Sequence, residues 1–382
     1  MKPFFRADQV GSLLRSSSLL EARAQYEQKA ISHVALQEAE DAAIASVARQ
    51  QEQLGFGVVV DGEFRRENWW IDFARSLRGV EIQDGHSKSF ERDKTDCGHD
   101  HGLDADEDHS WQYVPKNVFV RDRIALEESP NARDFASLKA AVNVSAKITI
   151  PSPTRLHFHG GRAAVSSTAY PDIEEFFADV VSVYQREIAD LEAAGCRYIQ
   201  IDDPLLTYFI SERLRAEVTA AGEDPDKRLA RYIQLTNDCI AKRRSDTAIG
   251  IHVCRGNSRS GWISEGGYAR IAEAVFGGLK CDHLLLEYDD ERSGDFEPLR
   301  HIPSGLGVVL GLVTTKHGRL ENPDDLLRRI DSAAKFVPLE HLALSPQCGF
   351  ASTVEGNIIT EDDQWRKLAL IVDTAKRVWG TV

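Results

Sequence analysis

The sequence predicts a closed (β/α)8 barrel. Short β-branched runs alternate with helical stretches along most of the chain, and strict alternation implies parallel strands joined by right-handed crossovers. Eight such runs can be counted, centred on Phe5, Val59, Ile148, Ile199, Ile251, Leu285, Val309 and Leu342. The length, 382 residues, suits one large barrel with room for an insertion. An open doubly wound sheet is the rival. It calls for a glycine-rich phosphate turn after its first strand, and no GxGxxG follows one here.

Taken in order, Phe4 to Ser12 reads as the first strand and runs into Val10-Gly11-Ser12. Leu19 to Leu54 has helical spacing and is stopped by Gly55 and Gly57. Val58-Val59-Val60 is the second strand and ends in Asp61-Gly62-Glu63, with a helix expected over Glu67 to Leu77. Residues 83–111 carry His86, Cys97, His99, His101, His109 and many acids without an apolar period. They read as an exposed acidic insertion between the second and third strands of a single domain spanning 1–382.

Order returns at Lys147 to Ile150, closed by Pro151 and Pro153. Pro171-Asp172 then open a helix with Ile173, Phe176, Phe177, Val180, Tyr184, Ile188 and Leu191 on one face. Tyr198 to Ile201 is the fourth strand and enters Asp202-Asp203-Pro204. Asp224 and Pro225 start a helix to about Arg244, before the fifth strand, Ile249 to Cys254. A helix over Ser264 to Phe276 precedes the sixth strand, His283 to Leu286, which ends in Glu287. Val308 to Val313 is the seventh and leads into Thr314-Thr315-Lys316-His317. Asn322-Pro323 caps a helix to Phe336. Leu342 to Leu344 is the eighth strand, entering Ser345-Pro346-Gln347-Cys348-Gly349, and Thr360 caps a closing helix through Ala375.

A formal charge of -14 argues against a nucleic-acid or anionic-membrane binder, since both need a basic face. No apolar run is long enough to span a bilayer, and Met1 to Arg6 has no signal-peptide pattern. The six cysteines are scattered, without the density of a disulfide framework. The economical reading is a cytoplasmic enzyme with reduced thiols, in which Cys196, Cys239 and Cys281 only pack.

In such barrels the working residues lie just past the C-terminal ends of the strands. Those positions hold Ser12, Glu63, Asp202, His252, Cys254, Glu287, Lys316 or His317, and Cys348. His252 and Cys254, two residues apart in a strand, face the same way. Alone, such a pair more often packs than binds a metal. With Glu287 and Cys348 at neighbouring strand ends it makes a set of zinc-ligand types ringing one mouth. Trp69, Trp70 and Trp111 are candidates to line a pocket there.

These residues carry a resemblance. Val10-Gly11-Ser12, Asp61-Gly62-Glu63, Gln200 to Pro204, His252-Val253-Cys254, Glu287 and Ser345 to Gly349 make the chain similar to the catalytic barrel of cobalamin-independent methionine synthase. The short single-barrel methionine synthase II-like proteins resemble it most. The resemblance implies Zn2+ held by His252, Cys254, Glu287 and Cys348, and an amino-acid thiol, homocysteine, as substrate. Backbone N–H groups at Gly11 and Ser12 would take its carboxylate, and Glu63 and Asp202 its ammonium. Four protein ligands mark a closed site, so Glu287, the harder oxygen ligand, is expected to loosen when the thiol enters. The methyl donor would be methyltetrahydrofolate or another methyl carrier.

The sequence also departs from the family. Long methionine synthases have a second, N-terminal barrel that helps hold folate, and this chain has no room for it. The family's active-site acid, a histidine past the seventh strand, falls on Lys316 or His317. Its folate-stacking tryptophan aligns with Phe158. The alternatives are a zinc-dependent alkyltransferase to another, coenzyme M-like thiol, and a non-catalytic zinc-binding barrel. A homodimer is entertained.

Overall fold

A computed structural model describes residues 2–84, 88–90, 111–113 and 116–382, with side-chain surroundings outside 85–115. Its strands in chain order are β1 (Val58–Val59), β2 (Leu77–Asp84), β3 (Lys88–Phe90), β4 (Trp111–Tyr113), β5 (Lys116–Leu126), β6 (Ser145–Ala146), β7 (Ile148–Pro151), β8 (Tyr198–Asp202), β9 (Ala248–Val253), β10 (His283–Glu287), β11 (Gly307–Val313) and β12 (Leu342–Pro346).

The barrel is read from the pairing. β7 to β12 form a parallel sheet in sequence order. β1 pairs in parallel with β6, and the Lys147 N–H that follows β6 donates to Val59 O (2.9 Å), so β6 and β7 act as one stave. The remaining gap is filled by the segment expected as the first strand. It forms only isolated parallel bridges, Ala7 to Leu344 in β12 and Ser12 to Gly62 just past β1. Those bridges close the cylinder.

The first stave is short because its sequence is polar where a ladder would continue. Asp8 is buried, pairing with Lys147 Nζ (2.7 Å) and accepting from the Tyr198 hydroxyl (2.6 Å). Strands β7 to β12 are mostly apolar and buried along their whole length, as a helix-covered parallel sheet requires.

The helix Ile173–Ala193 buries Phe176, Phe177, Val180, Tyr184, Ile188 and Leu191 and is capped by Asp172. Asp224, Asn322 and Thr360 cap three others, Thr360 through a capping box with Asp363. The stretch Leu19 to Leu54 is two helices, Ser17–Glu27 and His33–Leu54. The chain breaks at Lys29 in a left-handed conformation and restarts at the Ser32 cap.

The largest departure follows Glu63. The helix expected over Glu67 to Leu77 shrinks to Ile71–Arg75, and Leu77 instead starts β2, which pairs antiparallel with β5. In β5, Val118, Val120, Ile124 and Leu126 are buried, near the period-two pattern of a half-covered strand. β3 and β4 pair beyond this ribbon, so the segment expected as a loop is ordered at its base. Its densest acidic stretch, with Cys97, His99, His101 and His109, lies outside the described residues. A further helix, Pro130–Ala140, leads back to the barrel. No helix among the described residues is long and apolar enough to cross a membrane. Cys196 and Cys239 are buried and Cys281 is half-buried, all as free thiols.

Candidate metal centre and substrate pocket

The alternation of β9 aims His252 and Cys254 to one side, and Cys348 arrives from the loop after β12. One ligand atom from each lies within 4.8 Å of the others, and all three residues are buried. Gly256, left-handed at φ 83°, turns the chain just past Cys254. The Asn257 amide then donates to Gly349 O (2.7 Å), tying the two cysteine loops together. Gly349 is required by contact: a Cβ there would sit 1.9 Å from Ser12 Oγ.

The electrostatics of the trio are those of a site short of positive charge. The Cys254 S–H bond to Cys348 holds the Cys348 thiol well below its usual range, with His252 adding to the effect. Cys254 rises well above its own through the same bond and through burial. Burial pulls His252 down, but the Cys348 sulfur, Asp202 and Glu287 outweigh it and leave it raised. Both ring nitrogens of His252 are buried without a nitrogen or oxygen partner. Such groups are rare unless something else satisfies them. Two sulfurs and one imidazole at this spacing fit a zinc ion.

Glu287 stands apart from this group. Among the described residues the ligand atoms within reach of one another are those of His252, Cys254 and Cys348, and Glu287 is not in that group. Glu287 Oε2 accepts from the Arg255 N–H (2.9 Å) and Oε1 from Lys316 Nζ (3.2 Å). Lys316 also pairs with Asp289 at 2.9 Å. The strand ends of β10 and β11 are adjacent, so the lysine captures the carboxylate. That pairing also removes Lys316 from the pocket wall, and neither it nor the half-buried His317 lines the cavity.

The cavity in front of the trio, about 100 Å³, is lined by Ser12, Glu63, Trp69, Trp70, Asp202 and the three cluster residues, among others. Asp202 accepts from the Gln200 amide at 2.6 Å. Burial pushes its carboxyl up to about 7; His252 opposes this and Glu63 adds to it. Glu63 is likewise raised, chiefly by burial against the pull of Arg66. Its Oε1 accepts from Thr149 Oγ1 (2.8 Å) and lies 3.5 Å from Arg66, not near Arg65, which pairs with Glu40 and Asp134. Gly11 lies close by, where a Cβ would come within 2.9 Å of Glu63 Oε1. Ser12 Oγ accepts from the Ala351 N–H (3.3 Å).

Trp69 and Trp70 line the cavity, and the Arg155 guanidinium stacks 3.6 Å over Trp70. Trp111 falls where side chains are not described. Phe158 sits in an aromatic cluster with Tyr208 and Tyr232, outside the cavity wall. Residues not singled out in the sequence also build the pocket, chiefly Asn257, Ser352 and Thr353. Gly256-Asn257 breaks the apolar run just past Cys254, and that break was the available signal.

A parallel barrel with a two-sulfur, one-imidazole cluster and two carboxylates at its C-terminal mouth defines the methionine-synthase type of methyltransferase. The family profile described as "Cobalamin-independent synthase, Catalytic domain" matches residues 5–95 and 136–376, and the chain belongs to that family. The unmatched stretch holds most of the insertion and β5.

The chain is 42% identical over 378 residues to the Bacillus subtilis (strain 168) protein YxjH, which is described as uncharacterized; 98% of this chain and 95% of that one are covered. A solved Listeria monocytogenes chain, provisionally assigned as a vitamin-B12-independent methionine synthase, is 32% identical with a TM-score of 0.75, covering 99% of both chains. A B12-independent methionine synthase from Shewanella sp. W3-18-1, solved with selenomethionine, shares the fold at 18% identity and a TM-score of 0.70, covering 98% of both chains.

Proposed function

We propose that the chain is a zinc-dependent enzyme that methylates the sulfur of homocysteine to give methionine, with methyltetrahydrofolate or another methyl carrier as donor. One observation carries the reading: a His252–Cys254–Cys348 cluster and two buried carboxylates, Glu63 and Asp202, face one cavity. A free thiol has a pKa near 8.5 and is mostly protonated at neutral pH; zinc bound at the trio would supply the positive charge that favours the thiolate.

The chain's own residues do the rest. Glu63 and Asp202 take the substrate ammonium in charge-assisted hydrogen bonds. A cation arriving beside Asp202, whose carboxyl burial pushes up to about 7, draws it to the carboxylate. The backbone at Gly11 and Ser12 receives the substrate carboxylate. Trp69 and Trp70 wall the reacting sulfur from water. Zinc held by the trio would have three protein ligands and could still take the substrate sulfur. Glu287, held by Lys316 at the neighbouring strand end, would serve as an exchangeable fourth ligand only by leaving that pairing. The proton for the leaving group is assigned to the segment past the seventh strand, with His317, though off the cavity wall, the candidate tested below and Lys316, paired with Glu287 and Asp289, the alternative. The Shewanella protein's complex with selenomethionine supports a methionine-sized ligand in this fold.

The test is titration of homocysteine into the metal-loaded protein in weak buffer. About one proton released per site at pH 7 is expected. Release with other thiols only would move the acceptor to a coenzyme M-like compound, and no release with any thiol would refute the reading. Methionine measured by mass spectrometry across a donor series then identifies the methyl source.

A further inference from the structure

Glu63 is held in an unusual way. Its backbone is left-handed at φ 60°, a region that a non-glycine residue occupies at some cost. Three bonds hold it there: Glu63 N–H donates to Asp61 Oδ1 (2.9 Å), and Glu63 O accepts from Arg15 Nη2 (2.9 Å) and from the Arg66 N–H (3.0 Å). Three residues on, the fully buried Arg66 side chain sits behind the pocket wall and does not line it.

The contacts of Arg66 fix a direction. Arg66 Nη1 donates to Thr149 Oγ1 (2.8 Å), and Nη2 donates to Thr149 O (2.6 Å) and Asn131 Oδ1 (3.3 Å). A guanidinium has donors only, and a hydroxyl has one hydrogen. The Thr149 hydroxyl therefore accepts from Arg66 and must give its own hydrogen to Glu63 Oε1, at 2.8 Å. This pins one oxygen of Glu63 and leaves the other to the pocket. Arg66 is itself anchored, because Asn131 Nδ2 donates to Glu187 Oε1 at 2.8 Å. The guanidinium also lies 3.5 Å from Glu63, supplying the opposite charge that a buried carboxylate needs to stay ionised.

We infer that Arg66, acting through the Thr149 hydroxyl, is the positioning residue that makes this pocket select thiols bearing an α-ammonium group over thiols of the same length without one. The inference rests on the homocysteine reading above and assigns the origin of its selectivity. Arg66 touches no substrate atom; its effect travels through the orientation and charge of Glu63.

The test compares homocysteine with 4-sulfanylbutanoate, the same chain lacking the amine, on the metal-loaded protein. Affinities are measured by calorimetry for wild type, Arg66→Gln, Thr149→Val and Thr149→Ser. Wild type should prefer homocysteine. Arg66→Gln and Thr149→Val should each weaken homocysteine about tenfold or more while leaving 4-sulfanylbutanoate nearly unchanged. Thr149→Ser keeps the hydroxyl and should restore the preference. Thr149→Val nearly preserves side-chain volume, so it serves if Arg66→Gln fails to fold. Equal weakening of both thiols, or an intact preference in Thr149→Val, overturns the inference while the homocysteine reading stands. Wild type that binds neither thiol overturns both.

Discussion

Glu187→Gln should stabilise the protein at pH 8 and leave its stability at pH 4 unchanged. Glu187 is fully buried on the helix Ile173–Ala193, and burial pushes its carboxyl from 4.5 up to about 7, against hydrogen bonds from Asn131 and Ser129. Below 4.5 both folded and unfolded chains carry the proton, and nothing is lost. Between 4.5 and 7 the unfolded chain ionises first, so stability falls as pH rises. Above 7 the folded group also ionises and the loss levels off. At about 1.4 kcal/mol per tenfold change in proton affinity, the plateau is about 3 kcal/mol. Glutamine is uncharged throughout and keeps the acceptor for Asn131. For a chain of this length the difference corresponds to about 4 °C in Tm. Calorimetric melts of both proteins at pH 4 and pH 8 measure it. A variant that is no more stable at pH 8, or whose advantage is the same at both pH values, would refute the reasoning.

Cys254→Ser and Cys348→Ser should each lower zinc affinity by more than about 100-fold, the upper range for losing even an outer partner of a ligand. Metal content after dialysis and far-ultraviolet circular dichroism check that the metal goes while the fold stays. Lys316→Met leaves Glu287 and Asp289 only the more distant Arg292 (3.9 and 3.8 Å) and should cost about 3 kcal/mol of stability, read from denaturant midpoints. His317→Gln should spare stability and lower kcat for methyl transfer, shown by single-turnover rates. A stable Lys316→Met protein with lost turnover would reverse the roles given to these two residues.

Much of the architecture was legible because a buried parallel strand leaves a plain trace. Runs such as Ile249 to Ile251 and Val308 to Val313 are apolar on both faces, as a covered sheet requires. The strand period placed His252 beside Cys254, and the strand-end rule placed Cys348, Glu63 and Asp202 around the same mouth. What escaped depended on partners distant in sequence. The first stave was read as a full strand because nothing in Asp8 announces a salt bridge to Lys147. Glu287 looked like a free ligand because its capture by Lys316 is a contact between two strand ends. The β2–β5 ribbon was missed because Gly79 and the charged run Arg121 to Arg123 blur its alternation.

The central claim is that one metal ion sits between His252, Cys254 and Cys348. X-ray absorption at the zinc edge, with metal content determined on the same purified sample, tests it most directly. The account predicts about one zinc per chain with two sulfur neighbours and an imidazole, and a third sulfur when homocysteine is added. Zinc surrounded only by nitrogen and oxygen, or retained in full by a protein lacking both cysteines, would contradict it.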